Sequence, residues 1–283
     1  TRGMAMKNIL KIMLMMITIY TIAGSAVYAA EIPVSDQDQL ITSRDWTEIS
    51  NLQDEMKKEE PDATIDYDKA LKVYVDCNLI KLQTADTKKL TSALESANYV
   101  WVIPFKMEKT YGMFTVAKGL PLSEEAKSVL TKAEQEEVKN HAGKWMITET
   151  AEHTVEPYYD ILLEKREALS DCTRVVLVGS QPGMRQPVAL GMDDETARIW
   201  ISLGYQYPVM EKIPETQNVE SGVYSFDSVA EISDTYIEDS EVSTGAGVQS
   251  RSSMKYVAGI GIIVIGSILI LSVLKKKKLE DYE

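Results

Sequence analysis

The chain has 283 residues, 45% apolar and 26% charged, with 30 basic against 43 acidic side chains and a formal charge of −13 at pH 7. So large an acidic excess disfavours nucleic acid and anionic lipid surfaces as long-range partners. Two cysteines and two histidines are too few for a zinc cluster or a cysteine-rich disulfide scaffold, whereas the apolar fraction is that of a chain with a globular core.

The charge is segregated: residues 1–30 carry +3, 31–214 carry −11, 215–254 carry −7 and 255–283 carry +2. Basic ends around an acidic middle point to a membrane topology. Lys7 and Lys11 precede and enter the apolar run Ile9 to Ile22, and the small-residue stretch Ala23-Gly24-Ser25-Ala26-Val27-Tyr28-Ala29-Ala30 follows. A charged region, an apolar stretch and small residues are the anatomy of a secretory signal peptide, here residues 1–29 with the cut after Ala29. An uncleaved amino-terminal anchor is the alternative.

Residues 30–64 read as a polar lead-in, with a short helix from Ser43 through Lys58 that Pro61 terminates. Residues 65–214 read as an extracytoplasmic α+β domain. Asp66 is placed to cap a helix through Tyr74, with Tyr67, Ala70, Leu71 and Tyr74 at helical spacing, and Thr87 to Ala97 reads as a second helix. The runs Tyr99 to Ile103 and Met113 to Val116 predict a hairpin. A helix from Glu124 to His141, a strand from Lys144 to Thr148 and a helix from Pro157 to Leu169 follow. Thr173 to Val178 and Pro187 to Leu190 flank a Gln181-Pro182-Gly183 turn as a second hairpin, and Glu195 to Leu203 is read as a last short helix. Strands that come as hairpins favour an antiparallel sheet covered by helices, an α+β fold, over a doubly wound parallel sheet. Two lobes of one hairpin each are the alternative to a single core.

Residues 215–255 are acidic and rich in Ser, Thr and Gly, the composition of a flexible stalk roughly 35 Å long. Val223-Tyr224-Ser225-Phe226 and Thr235-Tyr236-Ile237 interrupt it as apolar stretches able to dock on a partner or on the domain itself. Residues 256–274 contain no charge and, at about 1.5 Å per residue, are long enough to cross a bilayer as a single transmembrane helix. Lys275, Lys276, Lys277 and Lys278 follow, so the positive-inside rule places the tail 275–283 in the cytoplasm and the domain outside. A span with a basic tail resembles the sorting signal of Gram-positive wall-anchored proteins, and Ile213-Pro214-Glu215-Thr216-Gln217 is similar to that family's Leu-Pro-x-Thr-Gly motif. The first and last residues differ, and 38 residues separate Gln217 from Tyr256, so the segment reads as a permanent anchor.

Chemistry is sparser. Cys77 and Cys172 form a candidate disulfide in an exported domain, closing a loop of about 95 residues worth roughly 4 to 5 kcal/mol before strain. Two separately buried thiols are the alternative. Tyr99, Trp101, Tyr111, Trp145 and Trp200 are candidate members of an aromatic ligand platform, although strand alternation puts Tyr99, Trp101 and Ile103 on one sheet face and favours packing. Glu156, Asp160 and Glu164 share a four-residue spacing that carboxylate catalysis could use and that a solvated helix face also produces. Gly179-Ser180-Gln181-Pro182-Gly183 lacks the Gly-x-Ser-x-Gly spacing of a nucleophile elbow, and His141 and His153 are not spaced as a metal pair. With no Walker loop or dinucleotide fingerprint, no cofactor or metal is expected. No Asn-x-Ser/Thr sequon occurs, which favours a bacterial envelope. The expectation is a single-pass, type I membrane protein whose exported domain binds an envelope protein or glycan, as an accessory subunit would. A membrane-anchored, carboxylate-dependent hydrolase is the alternative.

Overall fold

The computed structural model describes residues 32–233, apart from 154–155, 180, 182–183, 185, 206, 208 and 215–217. The expected signal peptide, the span 256–274 and the four tail lysines lie outside the described residues. Among the described residues no helix is long and apolar enough to cross a membrane.

The fold is α+β, with one large, mostly antiparallel mixed sheet of ten strands covered by few helices. In chain order come α1 (Trp46–Ile49), α2 (Gln53–Glu59), β1 (Thr64–Ile65), β2 (Leu71–Tyr74), α3 (Thr87–Ser96), β3 (Tyr99–Lys106) and β4 (Tyr111–Lys118). Then follow α4 (Glu124–Val129), α5 (Lys132–His141), β5 (Trp145–His153), α6 (Tyr158–Glu164), β6 (Arg174–Val178), β7 (Val188–Met192), β8 (Ala197–Ser202), β9 (Asn218–Glu220) and β10 (Val223–Ser225). Residues 226–233 form a last helix, α7. The strands lie in the order β5-β4-β3-β2-β6-β7-β8-β10-β9, with β1 on β3. A single sheet joins what the sequence left open as two lobes.

The halves meet at β2 and β6, which pair in parallel through Val73 with Leu177 and Tyr74 with Val178. Alternation sorts the core onto two faces. Val176, Val178, Leu190 and Trp200 point to one face, where α3 and α7 cover them with Leu90, Leu94, Phe226 and Val229. On the same face, α1 and α2 cover Trp101, Ile103, Phe105 and Phe114 with Ile49 and Met56. The opposite face carries Val73, Val102, Val175, Leu177 and Ile201 under Tyr158, Leu162 and Leu169.

The amino ends of β2 and β6 diverge, and residues 33–40 wedge between them. Val34 bridges Val175 on one side, Gln39 bridges Leu71 on the other, and the Leu40 amide donates to Ala70 at 3.2 Å. The segment expected as a polar lead-in is therefore part of the core, with Leu40, Ile49 and Met56 fully buried.

Several expected elements differ. The helix expected from Asp66 to Tyr74 is a single 3-10 turn, Tyr67–Lys69, followed by β2. Spacing of 3 and 4 fits a helix, but all four β2 residues are buried, and a strand at a sheet's centre must be apolar on both faces. The helix expected from Glu195 to Leu203 is β8, because Ile199 and Ile201 fill one face while Trp200 fills the other. The helix expected over 124–141 is broken at Thr131, whose side chain caps α5 in a capping box with Glu134. The helix from Pro157 stops at Glu164. Residues 218–233, expected within the flexible stalk, instead build β9, β10 and α7, because Val223 and Phe226 dock on the domain and are buried. Between β4 and β5, none of the described side chains from Leu120 to Lys144 is fully buried, so α4 and α5 form an arm outside the core.

Candidate functional site

At the sheet's centre Lys72 and Tyr74 place polar groups among apolar neighbours, and Asp38 in the wedge answers them. Tyr74 donates to Asp38 Oδ1 at 2.7 Å, Ser35 Oγ to Oδ2 at 2.6 Å and Arg174 Nη2 to Oδ2 at 2.9 Å. Lys72 Nζ lies 3.5 Å from Oδ1. Burial alone would raise the Asp38 carboxyl, but the donors from Ser35, Arg174 and Tyr74 outweigh it and hold the group below its ordinary value. Burial pushes the Lys72 ammonium down, with Asp38 opposing. Next to them Asp45 accepts from Tyr99 Oη at 2.8 Å and Trp101 Nε1 at 3.1 Å. Every carboxylate here is matched by donors from its own chain, which is how a buried charge is tolerated and not how a ligand is awaited.

The residues expected as an aromatic platform lie partly in the same cluster. Tyr99 lies 6.3 Å from Trp101 and 5.8 Å from Trp145 between ring centroids. The π faces of Tyr74, Tyr99 and Trp101 enclose Lys72, whose Nζ is 5.6, 4.7 and 5.3 Å from the three rings, whereas the Trp145 ring lies under Lys118 Nζ at 5.4 Å. Trp101 is fully buried and Trp145 nearly so. Trp200 belongs to the other cluster of that face, stacked on Phe226 at 5.7 Å, and Tyr111 sits at the far end of β4 opposite Lys106. Three of the five residues pack together, and two of them, Tyr99 and Trp101, face the internal cation.

The cysteines are free. Cys77 packs with the cluster under α3, and Cys172 with the cluster on the opposite face of the sheet, so the sheet itself separates the expected disulfide partners. Burial pushes the Cys77 thiol up to about 12 and the Cys172 thiol to about 11, which makes both poor nucleophiles. The three carboxylates do not form a set either. Helix α6 begins at Tyr158, so Glu156 precedes it and is exposed, Asp160 pairs with Lys69 at 2.8 Å and Glu164 is exposed at the helix end. Among the described residues no three His, Cys, Asp or Glu side chains are grouped to hold a metal. His141 ends α5, exposed on the arm.

A different place offers open volume. From β2 the chain leaves toward β3, and from β6 toward β7, so the loops after this parallel pair diverge. Such a divergence leaves a crevice at the carboxyl ends of the strands. Gln181 ties the crevice floor: its Oε1 accepts from the Leu79 amide at 3.0 Å, and its Nε2 donates to the Cys77 and Gly179 carbonyls at 2.6 and 3.0 Å. Beside it lies a cleft of about 270 Å3 lined by Asp76, Cys77, Asn78 and Leu79 of the loop, Leu82, and Ala93, Ser96 and Ala97 of α3. Asp76 is left-handed, with φ 57°, and its carboxylate accepts from Asn98 N at 3.0 Å and Asn98 Nδ2 at 2.6 Å. Asp86 caps the other end of α3, accepting from the Lys88 and Lys89 amides at 2.9 and 3.2 Å.

No protein-family model, curated protein or solved structure matches this chain.

Sequence reasoning passed over Asp38, Lys72, Arg174 and Asp76. A signal existed for Lys72, a lone charge in the run Leu71-Lys72-Val73-Tyr74-Val75 at a position that alternates with buried ones. Asp38 had none, because an aspartate in a polar stretch reads as solvated until the strands beside it are known.

Proposed function

We propose that this is a single-pass, type I membrane protein whose exported α+β domain binds an envelope protein, as an accessory subunit of a membrane complex does. The signal-peptide anatomy, the uncharged span 256–274 and the lysines after it support the topology. The cleft at the carboxyl end of β2 carries the binding reading: it is an open, part-apolar concavity between the loop after β2 and α3. The cysteines and carboxylates singled out for chemistry lie apart from one another or are matched internally, which favours contact over catalysis.

The experiment is crosslinking of the anchored full chain in its native membrane, followed by mass spectrometry of the adducts. One dominant membrane or envelope protein is expected. Efficient crosslinking without a specific protein adduct overturns the accessory-subunit reading.

A further inference from the structure

We infer that the cleft beside Asp76 receives one alkylammonium group, the chemistry of a lysine side chain presented by the partner polypeptide. This rests on reading the chain as a binding protein and names what its cleft selects. One end of the cleft is electronegative. Asp76 is exposed, and the two Asn98 donors leave its carboxylate with further acceptor positions. The carboxyl end of α3 converges on the same volume through Ser96 and Ala97. A helix carboxyl terminus carries partial negative charge and favours a cation, yet the last turn of α3 holds Glu95 and no base. Among the described residues, the last turn of α3 thus lacks the charge that its end favours.

The remaining wall is apolar. Leu79, Leu82, Ala93 and Ala97 line it, and Leu82 is 43% exposed although apolar. Small side chains at 93 and 97 leave room for a methylene stem, so the cleft pairs an apolar sleeve with an anionic end, as a lysine pairs a stem with an ammonium. A sugar ring would be met by an aromatic face, and no ring lines the cleft. The net charge of −13 raises the local concentration of cationic groups over the whole surface.

The test is saturation-transfer NMR on the full chain in detergent micelles, with the pentapeptide Gly-Gly-Lys-Gly-Gly and its norleucine and Nε-acetyllysine counterparts as probes. Saturation is expected on the lysine methylenes and is about tenfold weaker for both neutral probes. Asp76→Asn removes it while keeping the fold, since asparagine tolerates a left-handed backbone. Ala93→Leu removes it by filling the sleeve, with an unchanged thermal midpoint as the control. Equal saturation of the norleucine peptide, or an undiminished lysine signal in Asp76→Asn, overturns the inference. So does saturation of an N-acetylglucosamine disaccharide alone, which assigns the cleft to glycan. If Asp76→Asn still crosslinks the same partner in the native membrane while the lysine probe fails, this inference falls and the binding reading stands.

Discussion

Asp38 and Arg174 are 136 residues apart in sequence, and their carboxylate and guanidinium meet at 2.9 Å. The contact joins the wedge at residues 33–40 to β6, and Lys72 draws β2 into the same knot. Two basic side chains thus depend on one carboxylate placed by a segment that looks like a solvated leader.

Asp38→Ala leaves Lys72 and Arg174 facing each other without their shared counter-charge, an uncompensated burial that costs about 3 to 5 kcal/mol. Urea unfolding of the full chain at pH 7 measures it. A loss below about 1 kcal/mol would show that water already reaches the knot.

The pH dependence follows from the same carboxylate. Its folded proton affinity lies below the ordinary value of 3.8, so its stabilisation is fully present above that value and is lost as pH falls through the lower folded one. In acid titration at fixed ionic strength, wild type loses stability more steeply below pH 4 than Asp38→Asn does. Parallel curves for the two proteins would contradict this assignment.

Lys72→Met is expected to cost less than Asp38→Ala, about 1 to 2 kcal/mol, because Asp38 keeps Ser35, Tyr74 and Arg174 and the thioether fits the same aromatic enclosure. Equal costs for the two variants would mean that the ammonium, not the carboxylate, organises the centre.

Cys77 and Cys172 are expected to titrate as two free thiols in denaturant without reductant. In the native protein at pH 8 both label slowly, since burial holds them at about 12 and about 11. An unfolded protein that shows no thiol until reduced would restore the disulfide.

Gly112 sits against the Phe105 ring, which lies tilted against Phe114 with centroids 4.5 Å apart, and a Cβ at Gly112 would run into that ring. Gly112→Ala should cost about 2 to 3 kcal/mol by overpacking. Excising residues 122–140 with a short linker should leave stability within about 1 kcal/mol of wild type, because none of the arm's described side chains is fully buried. Chemical unfolding of both variants separates core from arm.

How much could be read in advance depended on the range of the forces involved. The β3–β4 and β6–β7 hairpins were legible because their β-branched runs lie close in sequence with turn residues between them. Helix α3 was legible from its apolar spacing, with Leu90 and Leu94 on one face. β2 and β8 were not, since helical and strand spacing coincide over four to six residues and only burial on both faces decides between them. The candidate site was hardly legible: Asp76 and Ala93 become neighbours only when the loop after β2 folds back along α3.

The sequence by itself determined the segregation of charge, the two long apolar segments, the mixture of helices with hairpins and the acidic field of the middle of the chain. These are properties of composition and of contacts within about ten residues, where periodicity carries the information. The tertiary structure alone decided that the lead-in completes the sheet, that residues 218–233 belong to the domain, that the cysteines lie on opposite faces and that Tyr99 and Trp101 enclose a lysine. Each depends on which strands become neighbours. That choice is made by burying apolar faces and matching buried charges across the whole chain, and local residue pattern does not encode it.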